Sequence, residues 1–154
     1  MLYSALFKNM DEGEISFILG HEMGHVSLGH TRINSFVGGM AGIPAPWGVS
    51  VILRGIFLSW NRACEYSADR AGLLACGNVN KAISALIKLG AGPGAYSQAE
   101  LARALKMLEE EDDNIFGVLN ETFSTHPMLI KRIQQLLRYA SSRNYQQLQA
   151  WVKS

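Results

Sequence analysis

The chain has 154 residues, 48% of them hydrophobic and 18% charged, and a formal net charge of +1. That length makes one domain, 1–154, with a single core, and the composition is that of a globular protein slightly apolar for its size. The near-neutral balance leaves no basic surplus and argues against nucleic acid as a partner.

Residues 1–10 hold a short apolar stretch, Leu2 to Phe7. It lacks a preceding basic region, so no cleaved signal peptide is visible and an intracellular or membrane-associated location is expected. Asp11 and Glu14 then form a capping box, which opens a helix with acidic residues in its first turn. Ile15, Ile18, Leu19, Val26 and Leu28 distribute apolar side chains around that helix and predict that it is largely buried. Gly20, Gly24 and Gly29 are poor helix formers and read as packing positions, where another backbone comes close.

This helix carries His21-Glu22-Met23-Gly24-His25. Positions i and i+4 share a helix face, so the two imidazoles can converge on one metal ion. Glu22 stands about 100° round the helix from His21, placed to face a water on that metal without binding the metal itself. Neutral imidazoles suit Zn²⁺, and a neighbouring carboxylate can take a proton from the activated water and pass it on. His30 falls one place short of the third histidine of the extended motif, so it reads as a helix-end or surface histidine. A third ligand has to come from further along. The helix starts only about ten residues into the chain, as expected of a fragment of something longer.

Between Ile33 and Leu53 there is no charged residue, and Gly55 to Asn61 is also uncharged. Gly38, Gly39, Gly42, Pro44, Pro46 and Gly48 would break a membrane span. Only 39 residues separate His25 from Glu65, too few for a two-span hairpin of about 40 apolar residues. Residues 33–60 therefore read as a Gly/Pro loop followed by an apolar helix near Trp47–Trp60. That helix is expected to be buried, with the alternative that it lies against a membrane or partner.

The next helix contains Arg62 to Arg70 and closes near Gly77. Glu65 and Asp69 stand at i and i+4. Taken alone, they are a solvated face with an Arg62–Glu65 pair. With His21 and His25 upstream, Glu65 reads as the metal ligand and Asp69 as the carboxylate that holds the free ring nitrogen of a ligand histidine. Cys64 and Cys76 share this helix, about 18 Å apart, beyond disulfide reach, and read as buried reduced thiols. Asn78 caps a helix ending at Gly90, with Ala82, Ile83, Leu86, Ile87 and Leu89 on its apolar side. Ser97 and Glu100 form a second capping box. The acidic run Glu109 to Asp113 reads as a solvated helix end. Pro127 sits at the first position of a helix running to about Ala140, and a short amphipathic piece with Leu148, Trp151 and Val152 follows. The fold class is mainly α, with little or no β-sheet evident.

Four stretches together resemble one family: His21-Glu22-x-x-His25, Glu65-x-x-x-Asp69 within Glu-Tyr-Ser-Ala-Asp-Arg-Ala-Gly, Ser124-Thr125-His126-Pro127, and Arg132-Ile133. The sequence resembles the zinc metallopeptidases that include the heat-shock protease HtpX and the CAAX prenyl endopeptidases, within the gluzincins. The resemblance implies a zincin-like domain with one Zn²⁺ held by His21, His25 and Glu65. It makes Glu22 the general base and Asp69 the partner of a ligand histidine. It also implies that His126 steadies the oxyanion or acts as a removable fourth ligand, and that Arg132 helps build the same site. Unfolded or membrane-derived polypeptide substrates follow from the family alone. The rival expectation is a proteolytically silent, metal-stabilised module that binds misfolded chains or a partner through residues 33–60.

Overall fold

The computed structural model describes residues 10–33, 35, 47–91, 106 and 127–152. Among these residues the fold is mainly α, with no strand. The elements are α1 (Glu12–Ser27), α2 (Trp47–Cys76), α3 (Val79–Ala91), α4 (Pro127–Ala140) and α5 (Arg143–Val152). The N-terminal apolar stretch, the Gly/Pro loop, the Ser97–Glu100 capping box, the acidic run and His126 lie outside the described residues.

The helix ends follow local chemistry. The Glu14 amide donates to Asp11 Oδ1 at 3.0 Å, and the Asp11 amide donates to Glu14 Oε2 at 2.9 Å, closing the capping box that starts α1. Asn78 Oδ1 accepts from the amides of Asn80 and Lys81 and starts α3. Gly77, at φ +66°, ends α2, its amide donating to Leu73 O at 2.8 Å. Proline, which has no amide hydrogen to lose, opens α4.

Helices α1 and α2 run antiparallel and nearly touch. A Cβ on Gly20 would meet Ala75 Cβ at 2.5 Å, and one on Gly24 would meet Ala71 Cβ at 2.9 Å. From the other side, a Cβ on Gly72 would stand 2.7 Å from Phe17 O. The packing role expected of Gly20 and Gly24 is thus realised. That of Gly29 is not: its surroundings are open, and its φ of +68° instead turns the chain after α1.

The core lies where α1, the C-terminal half of α2, α3 and α4 meet, with Phe17, Leu73, Ile83, Leu86, Ile133 and Leu136 buried there. Glu14 is buried with them and ties α1 to α3. Lys88 Nζ donates to its two oxygens at 2.6 and 2.8 Å, and Ser84 Oγ donates to Oε1.

Three sequence expectations are corrected. α1 is not buried all round: Phe17 and Ile18 are in the core, whereas Leu19, Met23, Val26 and Leu28 are exposed. The break expected between an apolar helix ending near Trp60 and a separate ligand helix is absent, and α2 runs 30 residues without interruption. Its N-terminal half is not buried either, with Val49, Val51, Ile52, Ile56 and Leu58 exposed. The reason is length. Thirty residues at about 1.5 Å each reach roughly 45 Å, while the 16 residues of α1 reach roughly 24 Å, so the first half of α2 overhangs its partner. No helix among the described residues is long and apolar enough to cross a membrane.

Candidate metal centre

The close glycine-lined contact between α1 and α2 sets the distance between their functional side chains. His21 and His25 project from the buried side of α1, and Glu65 and Asp69 project toward them from α2. His21 Nε2 and His25 Nε2 are 3.1 Å apart. Glu65 Oε1 lies 3.4 Å from His25 Nε2, and Glu65 Oε2 lies 3.8 Å from His21 Nε2. One donor atom from each of the three residues falls within 4.8 Å of the others.

These separations fit a tetrahedral ion. Ligand atoms about 2.0–2.1 Å from one zinc stand roughly 3.3 Å from each other. The tautomer of His21 fits as well. Its Nδ1 is 3.0 Å from Asp69 Oδ1, and a carboxylate only accepts, so Nδ1 carries the hydrogen and Nε2 keeps its lone pair. Asp69, expected from the sequence to pair with a histidine of the motif, lies at hydrogen-bond distance from His21.

Asp69 is 1% exposed and has a second partner. Arg132, from the second turn of α4, donates Nε to Asp69 Oδ2 at 2.8 Å and Nη2 to Asp69 Oδ1 at 2.6 Å, while its Nη1 lies 3.0 Å from Glu65 Oε2. One guanidinium thus grips both carboxylates. Burial pushes the Asp69 carboxyl up, but the hydrogen bonds from Arg132 and His21 outweigh it and hold the group below the usual carboxylate range. Arg132 is itself pulled down by burial and raised further by Asp69, with a net upward shift that keeps it charged.

Glu22 is exposed on the open side of α1 and makes no ion pair among the described residues. A shallow cleft of about 220 Å³ opens beside Glu65, lined by Leu58, Asn61, Arg62 and Met128. Cys64 and Cys76 are free, and burial raises both thiols, so neither is a poised nucleophile.

His30, expected at a helix end or on the surface, does lie just past the end of α1. It is 5% exposed, not on the surface, and it stands behind His25 with the two Nδ1 atoms 3.1 Å apart. Burial, reinforced by His25, lowers its pKa against an opposing pull from Glu65. The spacing of five from His25 gave no helical reason to expect this contact, because the turn at Gly29 creates it.

A helix bearing His-Glu-x-x-His, with a glutamate delivered from a second helix to the same point, presents two imidazoles and a carboxylate, one of the donor sets of catalytic zinc sites. The chain belongs to peptidase family M48, whose model matches residues 1–140. Membership implies a bound metal, and His21, His25 and Glu65 are grouped to hold one. Among curated proteins, the chain is similar to a plastoglobule-localized metallopeptidase 48 of Arabidopsis thaliana chloroplasts, at 26% identity over 96% of this chain and 47% of that protein. It is also similar to protease HtpX homologs of Methanopyrus kandleri (29%, over 88% of this chain and 51% of that one) and Ralstonia nicotianae (34%, over 73% and 39%). The chain spans about half the length, or less, of these relatives. No solved structure matches it.

Proposed function

We propose that this chain is the catalytic domain of a zinc-dependent endopeptidase, with His21, His25 and Glu65 as the ligands of one Zn²⁺. The observation that carries the reading is the convergence of two imidazole Nε2 atoms and a carboxylate at separations that suit tetrahedral zinc. Three protein ligands leave a position for water or substrate, whereas structural zinc sites usually have four and favour cysteine. Zinc bound there supplies Lewis-acid polarisation of the scissile carbonyl and acidifies a water.

The remaining steps belong to side chains. Glu22, exposed and one residue after His21, takes the proton of the attacking water and returns it to the leaving amine. His126, immediately before α4, hydrogen-bonds the developing oxyanion. Arg132 holds Glu65 and Asp69 in place, and Asp69 orients His21. The cleft between Leu58 and Met128 offers an apolar seat for a substrate side chain. Substrates are unfolded or membrane-derived polypeptides, and the exposed apolar residues of α2 within 33–60 offer a peripheral contact to membrane or partner.

Metal content and casein hydrolysis of the purified chain, with and without a chelator, test the proposal. About one zinc per chain and hydrolysis abolished by chelator are expected. Zinc without hydrolysis would favour the silent, partner-binding module instead. Hydrolysis that survives complete metal removal would overturn the mechanism.

A further inference from the structure

We infer that His30 is a positioning residue which, through a hydrogen-bond chain ending on the backbone of α2, locks His25 in the tautomer that leaves its Nε2 free for the metal. The inference rests on the proposed reading of His21, His25 and Glu65 as the metal ligands. It follows from where each ring hydrogen can sit. His25 Nε2 faces His21 Nε2 and Glu65, and His25 Nδ1 faces His30 Nδ1 at 3.1 Å. A metal-binding Nε2 requires the hydrogen on Nδ1 of the neutral ring, so His25 donates and His30 Nδ1 accepts.

The assignment then propagates. An accepting Nδ1 puts the hydrogen of a neutral His30 on Nε2, which lies 3.3 Å from Ser67 Oγ and donates to it. The Ser67 hydroxyl in turn donates to the backbone of its own helix, with Ala63 O and Cys64 O each 3.0 Å away. Every group in the chain has one consistent role, and the chain ends on the two residues that immediately precede Glu65. The Trp60 ring stands edge-on to His30, with centroids 6.4 Å apart, and limits its tilt.

The backbone shows why His30 can do this. In an unbroken helix the fifth residue after His25 would sit roughly 140° away round the axis. Here α1 ends at Ser27, and Gly29 at φ +68° turns the chain, returning His30 to the back of His25. The two ligand histidines are thus oriented by different chemistry. His21 donates to a buried carboxylate, which strengthens it as a ligand, and His25 donates to a neutral imidazole, which fixes its direction without adding charge.

The test uses the full chain, stripped of metal, titrated with zinc against a chromogenic chelator and with Co²⁺ for its visible absorption bands. His30→Phe keeps a ring beside Trp60 but removes the acceptor, and is expected to weaken zinc about 10–100-fold and to alter the cobalt spectrum. His30→Asn keeps an acceptor near the Nδ1 position and should stay within a few-fold of wild type, while His30→Gln, whose polar end reaches the Nε2 position, should not. If His30→Phe fails to fold, the Asn and Gln variants decide alone. Equal zinc affinities for these two, or wild-type affinity and spectrum for His30→Phe, would overturn the role of His30 and leave the metal centre standing. A wild-type chain that binds no zinc, or a His21→Ala variant that binds it normally, would overturn the metal centre and this inference with it.

Discussion

Asp69 sits where three demands meet. It accepts from His21, it is gripped by Arg132, and it is almost fully buried. Its substitution by Asn keeps the shape but removes the charge that both partners require. Asp69→Asn is expected to weaken zinc binding about 10–100-fold, read by competition with a chelator. Glu22→Gln should separate the roles, since it leaves zinc affinity unchanged and lowers turnover on casein about 10²–10⁴-fold. Wild-type turnover in Glu22→Gln would remove Glu22 from the mechanism. His21, His25, Glu65 and Asp69 are legible in the sequence because helical spacing fixes which side chains share a face. The double grip of Arg132 and the seat of His30 are not. The first joins α4 to α2 across 63 positions of sequence, and the second depends on a left-handed turn at one glycine.

At the scale of elements, the contact between α1 and α2 has no room for side chains. Gly72→Ala would place a methyl group 2.7 Å from the carbonyl oxygen of Phe17, a backbone atom that cannot swing away. The helices must separate, at an expected loss of about 1–3 kcal/mol in urea unfolding, with weaker zinc binding as Glu65 retreats from the histidines. Gly55, in the overhanging half of α2, has nothing within 4 Å of its missing Cβ. Gly55→Ala should therefore stabilise the chain by about 0.5–1 kcal/mol through helix propensity. Destabilisation of similar size by both alanines would contradict the packing described. The helix starts at Asp11, Asn78 and Pro127 are readable because a cap is a local interaction. The continuity of α2 was harder to read, because burial changes along the helix while the backbone does not. Its apolar first half and the polar half that carries Glu65 and Asp69 look like two elements in sequence, yet no proline lies between them. Which apolar residues of α1 face inward depended on the partner, and Leu19, Met23 and Val26 point away from it.

For the whole molecule, an ion pair with a buried carboxylate and a partly exposed ammonium fastens α1 to α3. Glu14 begins as a capping residue, and its carboxylate also reaches Lys88 and Ser84 on α3. The sequence showed the cap alone, since the 74-residue separation from Lys88 carries no local signal. Lys88→Met removes the ammonium and leaves a buried carboxylate, so a loss of about 3–5 kcal/mol in unfolding free energy is expected. A loss below about 1 kcal/mol would mean that Glu14 is satisfied without Lys88. The same architecture underlies the proposed metal centre, because α1 and α2 carry the three proposed ligands and α2 and α4 carry Asp69 and Arg132. The most direct measurement is a crystal structure of the zinc-loaded chain with anomalous scattering recorded at the zinc edge. One strong peak is expected about 2.0–2.2 Å from His21 Nε2, His25 Nε2 and a Glu65 oxygen. A peak elsewhere, or zinc coordinated without Glu65, would contradict the proposed centre.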